Sequence, residues 1–329
     1  MSNPFRFAYD IFGIHLLSNY QLSIPTCEAS PNPDIEFIVS NQNSKLHSHA
    51  QMVYSSPFLD TNGINHFRLY LQNGHQILNL SSGIEFEFIL PRIICTSKNL
   101  DHPEIENALL GAVMALWLEN HQVLALHASA IEENGRSIVF LSSSMGGKSS
   151  LAASFIQAGF PLMSDDIVPV ENAEDCFLSR AGYPSMRLWP DEAQFFLGKT
   201  QGLETENSRS KKLRIPVGTG LFGKFLSAKR PIACIYLPQR YVHDEASDAI
   251  CINPVSPRDS LIELIRYSFV ARIAQATGLG PKRLHLLEGL AGNTPVRRLV
   301  YPSGYQHFPA VREAILRDLQ NQPSAEDQR

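Results

Sequence analysis

Apolar and polar positions alternate with a period of two through most of the first 98 residues. "IEFIVS" (Ile35 to Ser40), "HFRLYLQ" (His66 to Gln72) and "IEFEFILP" (Ile84 to Pro91) are short segments of this kind, and Asn-Gly and Ser-Gly pairs punctuate them. The pattern predicts strands and hairpins there and no helix of useful length. At His102-Pro103-Glu104 the texture turns helical to about Leu118, with Pro103 suited to the first turn, where its missing N–H leaves nothing unpaired.

Farther along, strands alternate with helices. "VLALHASAI" (Val123 to Ile131) and "SIVFLS" (Ser137 to Ser142) read as buried strands joined by the turn "ENGR". "KSSLAASFIQAG" reads as a helix with Gly159 at its end, and "PLMSDD" starts another strand. "PIACIYLP" (Pro231 to Pro238) is a further buried strand. "SLIELIRYSFVARI" (Ser260 to Ile273) is expected as a helix, with Ser260 as N-cap and Glu263 three residues on. Residues 309–320 form a last helix, and a disordered tail is expected over 321–329. Residues 199–213 are polar and read as a mobile surface loop with a basic end at Arg209, Lys211 and Lys212. The fold class expected is α/β, α+β overall, with a β-rich N-terminal region over 1–98.

Composition narrows the function. The 329 residues are 44% hydrophobic and 18% charged, an ordinary globular balance, and the net charge of -4 supplies no basic field for nucleic acid. Cys27, Cys95, Cys176, Cys234 and Cys251 are scattered, odd in number and without C-x-x-C spacing. That argues for buried thiols in a reducing compartment, against a disulfide framework or a zinc site. "ALLGAVMALWL" (Ala108 to Leu118) is too short to span a bilayer, and the N-terminus makes a poor signal peptide. A cytoplasmic protein with no membrane partner is expected.

Chemistry concentrates in "SSSMGGKSSL" (Ser142 to Leu151). A phosphate needs converging backbone N–H groups, a helix N-terminus behind it, a lysine across its outer oxygens and a hydroxyl for magnesium. Gly146, Gly147, Lys148 and Ser149 supply these after a strand and before a helix, the context a phosphate loop requires. Ser142 stands where the opening glycine of that motif belongs, and Ser142 and Met145 are expected to carry a steric cost where positive φ is needed. Asp165-Asp166 at the end of the next strand can divide phosphoryl-transfer work, one serving the metal and the other accepting a proton, although acidic pairs at strand ends are also common solvated turns. His127 taken alone reads as a core histidine. "HSH" (His47 to His49) reads as a polar loop rather than a metal site.

Together, "HASAIEENGRSIVFLSSSMGGKSSLAASFIQAGFPLMSDDIVPV" resembles the catalytic domain of the HPr serine kinase/phosphorylase family. The closer resemblance is to the short HPr kinase-like proteins of peptide-modification clusters, including lasso-peptide precursor kinases. It extends to "YPSMRLWPD" (Tyr183 to Asp191) and faintly to "YDIFGIHLLSNYQLSIP". The resemblance implies an HPr kinase-like P-loop domain over 99–320, of the fold shared with phosphoenolpyruvate carboxykinase. It implies ATP and magnesium as cofactors. Ser143, Ser144, Met145, Gly146, Gly147, Lys148, Ser149 and Ser150 would meet the nucleotide, with Arg187 at a phosphate. Ser149, Asp165 and Asp191 would serve the metal, Asp166 would accept the proton, and Lys148 and His127 would flank the transferred phosphate. The larger family's arginine-glycine signature, tied to phosphorylase activity, is not evident, which implies a kinase only.

The expected function is therefore an ATP- and magnesium-dependent kinase acting on a serine hydroxyl of a peptide or small protein, extending to a lasso-type precursor peptide. Two alternatives stay open: a non-catalytic nucleotide-sensing or peptide-binding protein with an altered loop, and a small-molecule kinase. Homo-oligomerisation is left open.

Overall fold

The computed structural model describes residues 5–44, 46–174, 176–203, 205, 211–218, 220–241 and 249–321. Arg209 and the expected tail beyond Asn321 lie outside the described residues. The chain divides into two compact units, Met1–His121 with Val270–Pro281, and Gln122–Phe269 with Lys282–Arg329. Among the described residues no helix is long and apolar enough to cross a membrane.

In the first unit the alternating segments form one sheet. Its order is Phe7–Ile11, Ile14–Ser18, Ile35–Ser40, Arg92–Thr96, Glu85–Ile89, His75–Leu80, Phe67–Gln72 and Gln51–Ser55. Ile35–Ser40 shows why the pattern was readable: buried and half-buried positions alternate along it without exception. Asn73 and Gly74 both adopt positive φ between the paired residues Gln72 and His75, the mirror-image turn that matches strand twist. The helical stretch runs Glu104–Ala108 and Met114–Asn120, joined by a π-helical turn Leu109–Val113 in which Gly111 leaves helical geometry.

The second unit is a mixed sheet with helices on both faces. Arg136–Leu141 pairs antiparallel with Ala128–Glu133 and parallel with Arg230–Tyr241, which runs parallel to Val296–Pro302. Strand Arg136–Leu141 is buried on both sides, so it reads as a continuous apolar run rather than an alternation. Ile138 and Phe140 pack with Leu151 and Phe155 of helix Lys148–Gln157 and with Val311 and Ile315 of helix Phe308–Gln320. Val139 and Leu141 pack the opposite way, with Leu264 of helix Pro257–Arg266 and Leu287 of helix Gly280–Asn293.

Three expectations are corrected here. The helix expected over 260–273 starts earlier, because Ser256 is extended, accepts from the Asp259 amide at 3.2 Å and is followed by Pro257 at the first helical position. Ser260 is consequently buried inside the helix, which ends at Arg266. The strand expected over 123–131 is two strands, Leu124–Leu126 and Ala128–Glu133, with different partners and a break at His127. Finally, none of the five cysteines forms a disulfide, but burial covers only Cys95 and Cys234 fully, and Cys251 is exposed.

Candidate functional site

The strand Arg136–Leu141 ends in the loop 142–147, which turns into helix Lys148–Gln157. Two residues of the loop are left-handed, Met145 at φ 66° and the helix-capping Gly147 at φ 91°. Met145 therefore bears the expected strain, on the order of 1 kcal/mol for a residue with a side chain. Ser142 does not: it has no positive φ, lies buried, and donates its hydroxyl to the Ser143 carbonyl at 3.3 Å. The glycine requirement has moved across the loop, since a Cβ on Gly146 would sit 2.3 Å from Ser142 Oγ. A Cβ on Gly147 would sit 2.9 Å from the Tyr301 hydroxyl and 3.4 Å from Arg240 Nε.

Lys148 is buried and folds back, donating through Nζ to the Ser142 carbonyl at 3.0 Å and the Ser143 carbonyl at 2.9 Å. Burial pulls its pKa down to about 8, against the opposing pull of Asp165 and Asp166. Ser143 and Ser144 are exposed on the outer limb of the loop. The Ser150 hydroxyl donates to Glu192 Oε1, whose other oxygen accepts from the Trp189 amide at 2.9 Å.

The carboxylate pair is held by three segments. Asp165 Oδ1 accepts from Ser149 Oγ at 2.9 Å and Ser129 Oγ at 2.5 Å, and Oδ2 accepts from the Arg187 amide at 2.9 Å. Asp166 is left-handed at φ 70°. Its Oδ2 accepts from the Arg187 guanidinium at 2.9 Å, and its Oδ1 lies 3.5 Å from His127 Nδ1. Burial pushes the Asp166 carboxyl up, but Arg187, His127, Lys212 and Lys148 together hold it below the usual carboxylate range. Arg187, expected at a phosphate, gives its guanidinium to Asp166.

His127 sits in the strand break. Its amide donates to the Tyr267 carbonyl at 2.8 Å and its Nδ1 lies 3.1 Å from the Asp166 carbonyl. Burial lowers its pKa, against the opposing pull of Asp166, so the imidazole is neutral at pH 7.

Met145, Gly147 and the Lys148–Ser150 turn line a cavity of about 330 Å³ with Trp189, Asp191, Lys212, Arg240 and Tyr305, whereas Asp165, Asp166, Arg187 and His127 lie behind this turn and outside the lining. Asp191 is exposed and accepts from the Tyr305 hydroxyl at 2.7 Å. Lys212, read from sequence as more in keeping with a solvated loop, lies 5.8 Å over the Trp189 ring at the cavity wall. Glu192, Arg240, Tyr301 and Tyr305 were not foreseen, because nothing local marks them. The arrangement fits a magnesium-bound polyphosphate: a helix N-terminus, a cradle a Cβ would fill at Gly147, and a buried Tyr301 hydroxyl beside it without a hydrogen-bond partner among the described residues. Ser149 and Asp165 are the pair that could hold the metal, in the way a phosphate-loop hydroxyl and a strand-end aspartate do.

Two other groups carry potential metal ligands and are held by other contacts. Among the described residues, one cluster of three His, Cys, Asp or Glu side chains brings its donor atoms within 4.8 Å, at Asp10, His15 and Cys27. The Ser30 amide donates to His15 Nε2 at 2.8 Å, which keeps the ring proton on Nδ1, facing Asp10 Oδ1 at 2.9 Å. Burial, with Asp10 adding to it, pushes the Cys27 thiol up to about 11, so a metal there would have to displace the thiol proton as well as the hydrogen bonds of His15. His47 and His49 are exposed and stacked 5.3 Å apart.

No family model matches this sequence, and no curated protein matches it. Among solved structures, the Hpr(Ser) kinase/phosphatase from Coxiella burnetii is 12% identical, with a TM-score of 0.31 over 60% of this chain and 95% of that one. A likeness of that extent establishes neither a shared reaction nor a shared site.

Proposed function

We propose that this chain is an ATP- and magnesium-dependent kinase that phosphorylates a serine hydroxyl of a peptide or small protein, a lasso-type precursor peptide being the narrowest form of that substrate. The observation that carries the reading is the contact of Ser149 with Asp165, beside a lysine that caps its own loop and a second carboxylate kept ionised. Phosphoryl transfer asks mostly for positioning and charge neutralisation, and these residues supply both.

Lys148 would give up its two loop carbonyls to bind outer phosphate oxygens, and the helix N-terminus behind Gly147 would receive the same negative charge. Ser149 and Asp165 would hold magnesium, which would supply charge neutralisation to the phosphates. A bond forms from the acceptor Oγ to the γ-phosphorus as the bond to the bridging oxygen breaks. The Oγ proton passes to Asp166, which Arg187 and His127 orient. Asp191 at the cavity wall is available to a second metal through water.

A second reading is supported by Asp166 itself. A carboxylate held below its usual range is a weak base, which favours a protein that binds nucleotide without turning it over. Transfer of label from γ-labelled ATP into serine-containing peptides from a desalted lysate separates the two. Label lost in Asp166→Asn, with ATP still bound, supports the kinase. Label on a metabolite alone moves the acceptor to a small molecule, and no label in the wild type with ATP bound moves the reading to the sensor.

A further inference from the structure

We infer that Arg240 binds the outer phosphates of the nucleotide and so supplies the phosphate contact that the family resemblance implied for Arg187; the inference rests on the nucleotide part of the proposed function. Arg187 is committed elsewhere, with its guanidinium on Asp166 at 2.9 Å and its side chain largely buried. Among the described residues lining the cavity, the cations are Lys148, Lys212 and Arg240. Lys148 is buried and Lys212 stands over Trp189, whereas Arg240 is exposed on the strand Arg230–Tyr241.

Arg240 reaches the loop from a strand far away in sequence. Its guanidinium donates to the Met145 carbonyl, and its Nε lies 3.4 Å from where a Gly147 Cβ would be. Gly147 caps the helix Lys148–Gln157, so an anion seated on that N-terminus lies beside this guanidinium. A guanidinium carries five N–H donors in a fixed fork, and the Met145 contact uses one. The same side chain can therefore steady the left-handed Met145 and grip a phosphate, which a lysine does less well because it has no fork. Gly147 also leaves the space through which Tyr301 and Arg240 approach the loop.

The test is calorimetric binding of ATP, ADP and AMP with magnesium to the full chain, as wild type, Arg240→Gln and Arg240→Lys. Arg240→Gln is expected to weaken ATP and ADP about 10–100-fold and AMP much less, the range of one or two charge-assisted hydrogen bonds, with Arg240→Lys recovering part of the loss. Equal losses for all three nucleotides would make Arg240 only a brace for Met145 and overturn the inference, as would no loss at all. Wild type that binds none of the three overturns the nucleotide reading itself, a separate result. Thermal melting without nucleotide checks the fold, and should Arg240→Gln melt early, the ATP-to-AMP ratio of Arg240→Lys decides alone: unchanged from wild type, it overturns the inference.

Discussion

The Ser149 hydroxyl donates to Asp165 Oδ1 at 2.9 Å, joining the first turn of the loop helix to the end of the neighbouring strand. Asp165 takes two further hydrogen bonds and is only 5% exposed, so it is structural before it meets any ligand. Asp165→Asn turns an amide donor toward groups that already donate and is expected to cost about 2 kcal/mol, read as a lower urea midpoint. Ser149→Ala removes one donor of three and should cost less than half of that while abolishing magnesium-dependent nucleotide binding.

Asp166→Asn should lower transfer by about 10²–10⁴-fold, the usual worth of a positioned base, with ATP affinity retained. Single-turnover kinetics beside equilibrium binding would show it. A parallel loss of binding would instead assign Asp166 to holding the site together.

Lys148, with its pKa drawn down to about 8, gives nucleotide binding a pH signature. A phosphate favours the charged amine, so binding above that value must take up a proton and affinity must fall as pH rises through it. Calorimetry in buffers of different ionisation enthalpy should detect uptake at alkaline pH and none near neutrality. Because the unfolded lysine keeps its ordinary value of 10.5, the unfolded state binds more protons between the two, and Lys148 adds stability as pH rises across that window.

His127 and Asp166 act in acid. The folded His127 resists protonation, so the unfolded chain takes up the proton first as pH falls through the ordinary value of 6.5, and stability falls with it. Asp166, held low, stabilises the fold above the usual carboxylate range and loses that contribution as pH drops through its folded value. His127→Gln should flatten the fall of the urea midpoint as pH drops through 6.5, leaving the deeper acid limb in place.

The loop glycine tests a steric exchange. Gly146→Ala should disrupt the loop, since the new Cβ falls 2.3 Å from Ser142 Oγ, and Ser142→Gly in the same chain should restore much of the loss. A double-mutant cycle in nucleotide affinity measures the coupling, and additive losses would mean the two positions do not oppose each other.

Local physics made part of this molecule legible. Period-two alternation and an Asn-Gly pair suffice to call the hairpin around Asn73 and Gly74, because both act within a few residues of themselves. The loop from Ser142 to Ser149 is likewise a short-range object, with a strand before it, a helix after it and glycines where backbones crowd. The Asp165-Asp166 pair could be named because it follows at the end of the next strand.

What the chain could not announce are the groups that converge from afar. His127 looked like one more position in an apolar strand, and only the competition between two sets of ladder partners breaks the strand there and frees its ring for Asp166. Arg240, Tyr301 and Glu192 lie in segments whose own patterns say nothing of a phosphate loop, and sheet order together with the packing of helix Pro190–Leu197 brings them to it. Ser142 shows the same division in one residue. Which loop position needs a glycine depends on what the opposite limb presents, and a linear motif carries no record of that approach.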